Sequence, residues 1–286
     1  MPLPTPLISA SELLALLGRS ESWPVVLDCS FDLADTQAGE KAHAQGHLPG
    51  ARYAHLDRDL SGPKTARGAI DGGRHPLPTR EAFAATLSAL GIGPDTPVVA
   101  YDAQGGPYAA RAWWLLRWLG HTNVSVLDGG LAAWQAAGGP TEHEAGRSEP
   151  ATTPYPVRAP AMPTVSADRL LSEPAASLVI DARAPERFRG DVEPLDAQAG
   201  HIPGARNRFF KNNLATDGRF LPADELRKAF TAFGVPAERI VHQCGSGVTA
   251  SHNLLAMEAA GLRGSALYPG SWSEWSSDPA RPVARG

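Results

Sequence analysis

The sequence predicts an α/β fold of two tandem domains, each a mostly parallel sheet flanked by helices. Three observations predict it: the chain repeats itself, its strand candidates are apolar without polar alternation, and helical stretches separate them. The repeat is read directly, because His47-Leu48-Pro49-Gly50-Ala51-Arg52 returns as His201-Ile202-Pro203-Gly204-Ala205-Arg206. Upstream of each copy an apolar run ends in Asp, Val25 to Asp28 and Leu178 to Asp181. Downstream, the run from Pro97 to Asp102 faces the run from Arg239 to Cys244. Leu127-Asp128-Gly129-Gly130 with Trp134 faces Tyr268-Pro269-Gly270-Ser271 with Trp275. A length of 286 residues agrees with two domains, at roughly 150 residues each.

Each element has a local reason. Ser9 with Glu12 three residues on forms a capping box ahead of a leucine-rich helix that Gly18 stops. A buried strand follows at 25–28. Residues 79–90 read as a helix closed by Gly91, 97–101 as a strand, 108–119 as a helix closed by Gly120, and 124–127 as a strand. The second half repeats the order, with helices near 166–172, 222–233 and 248–260 and strands at 178–181, 239–243 and 265–268. Apolar strands alternating with helices imply a parallel sheet covered on both faces. Six prolines between 140 and 163 mark an extended, stiff linker. The expected division is therefore a first domain over 1–145, a linker over 146–163 and a second domain over 164–286.

Composition narrows the function. With 26 Lys+Arg against 30 Asp+Glu there is no basic field for nucleic acid or an anionic membrane, so a small anion would need a local site. Two cysteines more than two hundred positions apart exclude a disulfide scaffold and a cysteine-based zinc site. No apolar run reaches a membrane span, and no signal peptide is evident, so a soluble, reducing, cytoplasmic setting is expected.

The repeat serves as an internal control: residues kept in both halves maintain the fold, and one-sided residues are functional candidates. His47 and His201 share a turn motif and are assigned to it, as are Asp28 and Asp181 at their strand ends. Cys29 reads as a buried small residue. Cys244 differs, since the equivalent residue is Asp102. It ends a strand and opens the loop Gly245-Ser246-Gly247-Val248-Thr249, which feeds a helix. Loops at the carboxyl ends of parallel strands carry sites in α/β folds. Glycines let several N–H groups turn onto one atom there, and the helix dipole adds positive charge, which favours a thiolate. Other one-sided residues are Arg187 (opposite Ala34), His75 (opposite Phe220) and Asp57 (opposite Lys211). Arg187 could fork onto a carboxylate or sulfonate, or form a surface salt bridge. His75 and Asp57 could be a base and its orienting partner, or solvated loop residues.

Taken with both His-x-Pro-Gly-Ala turns and both terminal Gly-x-x-x-x-Trp segments, the Cys244-Gly245-Ser246-Gly247-Val248-Thr249 loop resembles that of the rhodanese superfamily, in its tandem-domain form. The resemblance implies two rhodanese-like domains, the first inactive and the second bearing a persulfide-forming cysteine. It places Arg187 on the family's substrate-anion arginine, and Ser246, His75 and Asp57 on a proposed relay of the mercaptopyruvate enzymes. The hexapeptide is similar to the mercaptopyruvate form, whereas the thiosulfate form usually carries basic side chains where this chain has Gly245 and Ser246. One departure weakens carboxylate recognition. A second substrate-binding Arg expected before the His-x-Pro-Gly turn is missing from the stretch Asp191 to Gly200.

The expected chemistry is a two-step sulfur transfer through a Cys244 persulfide, from 3-mercaptopyruvate or thiosulfate to cyanide, a thiol or a thioredoxin-like protein. Arg187 would hold the donor's anionic end, and the amides of Gly245, Ser246, Gly247, Val248 and Thr249 the sulfur. No metal or organic cofactor is required. A cysteine phosphatase would need an Arg six positions after the cysteine, where Ala250 stands. A persulfide carrier without turnover is the other alternative, and Arg187 argues against it.

Overall fold

The computed structural model describes residues 2–3, 6–18, 23–143, 150–151 and 153–286. The chain divides into two units with reciprocal insertions. The first comprises Met1–Leu60, Pro78–Ala161 and Ala215–Phe220; the second comprises Ser61–Leu77, Met162–Leu214 and Leu221–Gly286. Each half thus contributes one segment to the other unit, an exchange that no local pattern announces. Residues 146–149 and 152 of the expected linker over 146–163 lie outside the described residues. Of its described part, Tyr155 is buried in the first unit, its backbone N–H on Ser88 Oγ (2.9 Å) and its hydroxyl on His121 Nδ1 (2.9 Å).

In chain order the first unit contains β1 (Leu7–Ile8), α1 (Ala10–Leu17), β2 (Val25–Asp28), α2 (Ala38–Gln45), β3 (Arg52–Tyr53), α3 (Arg80–Ala89), β4 (Val98–Tyr101), α4 (Pro107–Trp118), β5 (Val124–Leu127) and α5 (Gly130–Ala136). Its parallel sheet has the order β1-β5-β4-β2-β3. The second unit contains α6 (Ala167–Ser172), β6 (Leu178–Asp181), α7 (Pro185–Arg189), β7 (Arg206–Asn207), α8 (Ala223–Thr231), β8 (Ile240–Gln243), α9 (Thr249–Ala259), β9 (Ala266–Leu267) and α10 (Ser271–Ser277). Its parallel sheet runs β7-β6-β8-β9, the same order as β3-β2-β4-β5.

Local chemistry sets the ends of these elements. The Ser9/Glu12 capping box is formed, and Thr79 and Ser166 cap α3 and α6 by accepting the N–H of Ala82 and Arg169. The central strands β4 and β8 are buried along their whole length, as strands covered on both faces must be. Each unit has its own core, around Leu13, Val26, Val99 and Trp134 in one and Leu170, Val179, Val241 and Trp275 in the other. Trp134 and Trp275 each donate an indole N–H to a proline carbonyl, Pro140 and Pro282, at 2.8 Å.

The turn histidines are also matched. His47 Nδ1–H donates to His43 O (2.6 Å) and His201 Nδ1–H to Phe188 O (2.8 Å), and each pairs its backbone with a distant residue, Glu142 or Ala284. Asp28 and Asp181 both accept the N–H two residues on, from Ser30 and Arg183. Among the described residues no helix is long and apolar enough to cross a membrane.

His242, in the middle of β8, is fully buried and packs Nε2 at 3.0 Å from Met257 Sδ. Burial lowers its pKa from 6.5 to about 3. Between those values the unfolded chain binds the extra proton, so stability falls as the pH is lowered through that window. His242→Leu should therefore flatten the acid limb of a urea-unfolding series between about pH 6 and pH 4, and an unchanged slope would contradict this.

Candidate active site

The second unit builds its site at the carboxyl end of β8. Gln243 closes the strand, and residues 244–248 turn into α9, whose first residue is Thr249. Gly247 has φ +77°, and a Cβ there would lie 2.5 Å from Pro269 O, so only glycine lets the loop pack under the 269–273 segment. That segment is the loop's scaffold. Ser271 Oγ accepts the Cys244 N–H (3.1 Å) and donates to Tyr268 O (2.9 Å), while Trp272 and Ser273 donate their N–H groups to the carbonyls of Cys244 and Gly245, both at 2.9 Å. Ser271 adopts φ +53°, a left-handed conformation uncommon for a residue with a side chain. Its strain is spent on fixing the backbone that carries the cysteine.

Cys244 is 2% exposed, and its Sγ accepts the Ser246 N–H at 3.4 Å. Ser246 is buried as well, and its Oγ lies 2.7 Å from His75 Nδ1. His75 reaches this place because the 61–77 segment belongs to the second unit. Gly72 and Gly73, at φ +86° and +81°, press it against α10: a Cβ on Gly73 would fall 2.3 Å from Gly270 O. The Gly72 N–H bonds to Glu274 Oε1 (3.2 Å) and the Arg74 N–H to Ser273 Oγ (2.9 Å).

Arg187 stands in the last turn of α7 with a side chain 18% exposed. It is paired, but not at the surface: its Nη2 donates to Glu193 Oε1 (2.6 Å) and Asp196 Oδ2 (3.0 Å), carboxylates that are 3% and 2% exposed. Glu193 also accepts from Arg183, which is locked on Asp181 and Gly200 O and lies over Trp272, a wholly structural set of contacts. Asp196 also accepts from Arg74 Nη1. An alternating ladder, Asp181, Arg183, Glu193, Arg187, Asp196, Arg74, therefore runs up to the loop. Burial raises the Asp196 pKa above the ordinary carboxylate value, and the two guanidinium groups oppose it.

Of the site residues expected from sequence, the structure brings Cys244, Ser246, His75 and Arg187 together with Gly245, Gly247, Val248 and Thr249. Asp57 lies in the first unit, where its backbone N–H donates to His55 Nδ1 (3.1 Å). Two residues were not singled out by sequence. Ser271 gave no signal, since its role depends on a backbone angle. Arg74 sits beside His75 in sequence, yet comparing the halves discards it, because Arg219 stands opposite. Arg219 belongs to the first unit, half exposed and paired with Asp217 at 3.8 Å.

The first unit has a loop of the same length in the corresponding place, with a different occupant. Asp102 takes the place of Cys244, and α4 starts five residues later, as α9 does. Its carboxylate is fully buried and accepts four backbone N–H groups, from Gln104 (2.9 Å), Gly106 (2.8 Å), Tyr108 (2.9 Å) and Ala109 (3.0 Å). The first unit's loop is thus an amide cradle for a carboxylate, and the second unit repeats the first of its contacts, the N–H two residues on, with Cys244 Sγ as acceptor.

Comparison with known proteins agrees with this pattern. The family model described as a rhodanese-like domain matches twice, over residues 9–137 and 165–278. A protein of Pseudomonas aeruginosa bearing the name "Probable 3-mercaptopyruvate sulfurtransferase" is 47% identical over 284 residues, covering 98% of each chain. The thiosulfate sulfurtransferase of Bos taurus is 35% identical over 258 residues, covering 87% of this chain and 84% of its own. The solved 3-mercaptopyruvate sulfurtransferase from Leishmania major superposes with a TM-score of 0.83 at 31% identity, over 96% of this chain and 76% of that one. The chain belongs to the rhodanese family, as a tandem-domain sulfurtransferase.

Proposed function

We propose that the transferred sulfur travels as a persulfide on Cys244, and that 3-mercaptopyruvate is the donor this site handles best. The observation that carries the donor choice is the 2.7 Å contact between Ser246 Oγ and His75 Nδ1, beside the sulfur that accepts the Ser246 N–H. The two donors differ in what they need. With thiosulfate, the Cys244 thiolate takes the outer sulfur, and the S–S electron pair leaves on sulfite without any proton moving. With 3-mercaptopyruvate, the thiolate takes the thiol sulfur, and the C–S electron pair leaves as the enolate of pyruvate. The thiol proton must then pass from sulfur to carbon, giving pyruvate and the persulfide anion. A hydroxyl hydrogen-bonded to an imidazole supplies that transfer, and thiosulfate has no use for it.

The persulfide itself is supported by the first unit. From Cβ to the outer sulfur, a cysteine persulfide spans as many atoms as an aspartate spans from Cβ to Oδ. The Asp102 contacts support a resting place for the outer sulfur of Cys244 against amides at the start of a helix. Arg187 supplies positive charge for the donor's carboxylate. Asp57 is assigned to orienting His75 by resemblance to the mercaptopyruvate enzymes. A thiophilic acceptor, either a small thiol, cyanide or a thioredoxin-like protein, removes the sulfur in the second half-reaction, and a reducing cytoplasmic setting suits two free thiols. Turnover is favoured over a passive carrier because the residue after the cysteine has two guanidinium groups beside it and the next one, Ser246, is hydrogen-bonded to His75. A phosphatase is disfavoured, since Ala250 stands where it would need Arg.

Ser246→Ala tests the donor choice. The expected loss in kcat/KM is about 100-fold for 3-mercaptopyruvate, as for removal of a general acid–base group, with thiosulfate nearly unaffected. An equal loss for both donors would reduce Ser246 to a scaffold for the loop.

A further inference from the structure

We infer that Arg74 is the second donor-binding arginine of this site, standing in for the one that the 191–200 segment lacks, and that Asp196 positions it. The assignment rests on the proposed sulfur transfer and extends it to donor recognition. Its basis is the space next to Gly245. A Cβ built on that glycine would lie 3.0 Å from Arg74 Nη2, 3.6 Å from Arg187 Nη1 and 3.8 Å from Arg187 Nη2. Two guanidinium groups therefore converge on the residue that follows the nucleophile. Gly245 itself has no positive φ, so its backbone would accept a side chain. The tightest neighbour of that position is the end of the Arg74 side chain, which would have to give by a few tenths of an ångström to admit a Cβ.

The orientation of the pair is set from below. Asp196 is 2% exposed and gives one oxygen to each arginine, Oδ1 to Arg74 Nη1 and Oδ2 to Arg187 Nη2. Each guanidinium is thereby tied by one terminal nitrogen while the other approaches Gly245. Arg187 Nε is moreover buried with no acceptor among the described residues. A buried donor without a partner is costly, so this guanidinium keeps hydrogen-bonding capacity that its two carboxylates do not use. Two planar forks a few ångströms apart suit an anion with two or three oxygens, held next to the sulfur that attacks it. Anchoring of the Arg74 backbone is independent of its side chain, because its N–H is held by Ser273 Oγ and the neighbouring glycines fix the turn. Truncating the guanidinium thus leaves His75 in place.

The test separates recognition from folding by using two reagents of similar size and opposite electrostatic demand. Cys244 is alkylated with iodoacetate, an anion, and with neutral iodoacetamide, in the wild type, Arg74→Ala and Arg74→Lys, with modification of Cys244 and Cys29 followed separately by mass spectrometry. In Arg74→Ala the iodoacetate rate should fall about ten-fold or more, the scale of one lost charge-assisted hydrogen bond, while the iodoacetamide rate stays within about two-fold. Arg74→Lys should recover most of the iodoacetate rate. In the sulfur-transfer assay KM for both anionic donors should rise by a similar factor, with kcat changing less. Equal falls for both reagents would make Arg74 structural, and unchanged rates would remove it from the site; either result overturns the assignment. The alkylation ratio does not involve sulfur transfer. A wild-type protein that shows the charge discrimination but never gains a sulfur on Cys244 would therefore overturn the proposed chemistry and leave the anion clamp standing.

Discussion

Cys244→Ser should abolish sulfur transfer from either donor, lowering kcat/KM by more than about a thousand-fold, the scale on which removal of a covalent nucleophile acts. A serine hydroxyl neither ionises at neutral pH nor attacks divalent sulfur usefully, and the Ser246 N–H has no anionic sulfur to meet. The other cysteine supplies the control. Cys29 is fully buried, its thiol in a weak 3.9 Å contact with Leu27 O, and burial pushes that thiol well above the ordinary range, with Asp28 and Asp102 adding to the effect. Cys29→Ser should retain nearly full activity. Mass spectrometry after donor exposure should find one added sulfur, on Cys244 alone; an adduct on Cys29, or loss of activity in Cys29→Ser with Cys244→Ser active, would reverse the assignment.

The sequence distinguishes the two cysteines but not the arginines because the two signals depend on different things. The strands β2, β4, β6 and β8 are apolar because they are buried on both faces, so composition alone marks them. The helix α2, with sequence Ala-Gly-Glu-Lys-Ala-His-Ala-Gln, buries only Gly39 and His43 and has no apolar stripe to read. In α10 the buried positions include Ser271 and Ser273, polar residues that support the loop, and periodicity is silent there too. The site follows the same division. Cys244 and His75 stood out because the other half has different residues at those places. Arg74 did not, because Arg219 keeps the residue type while serving a different neighbourhood. An internal comparison detects a changed side chain, but it cannot detect an unchanged side chain with a new partner. The exchange of the 61–77 and 215–220 segments between units is likewise tertiary, written in the packing of Gly73 against Gly270 rather than in any local pattern.

The largest expected change in stability is at Asp102. Replacing it with alanine leaves the amides of Gln104, Gly106, Tyr108 and Ala109 without their acceptor, two of them in the first turn of α4. At roughly 1–3 kcal/mol for each buried donor left unmet, and with water relieving some of them, the expected loss is about 3–5 kcal/mol. That is a large share of the stability of an ordinary domain. Burial raises the Asp102 pKa despite the four donors, so its charge is poorly solvated and its contribution lies in its acceptor positions. Asp102→Asn, which keeps the shape but turns one acceptor into a donor, should fall between wild type and Asp102→Ala. Urea unfolding gives the size of the effect, and hydrogen exchange at the four amides gives its place; a loss under about 1 kcal/mol would mean the cradle does not depend on its carboxylate. The converse substitution follows from the same geometry. Cys244→Asp should be inactive yet more stable than Cys244→Ser, by about 1–3 kcal/mol, because a carboxylate there can accept from the loop, beginning with the Ser246 N–H that now meets the sulfur. The gain has a limit, since Val248, at φ −85°, replaces the left-handed Gly106 before the helix. If Cys244→Asp proved the less stable of the two, the second loop would not be the anion cradle that the first one is, and the anionic persulfide would lose its resting place.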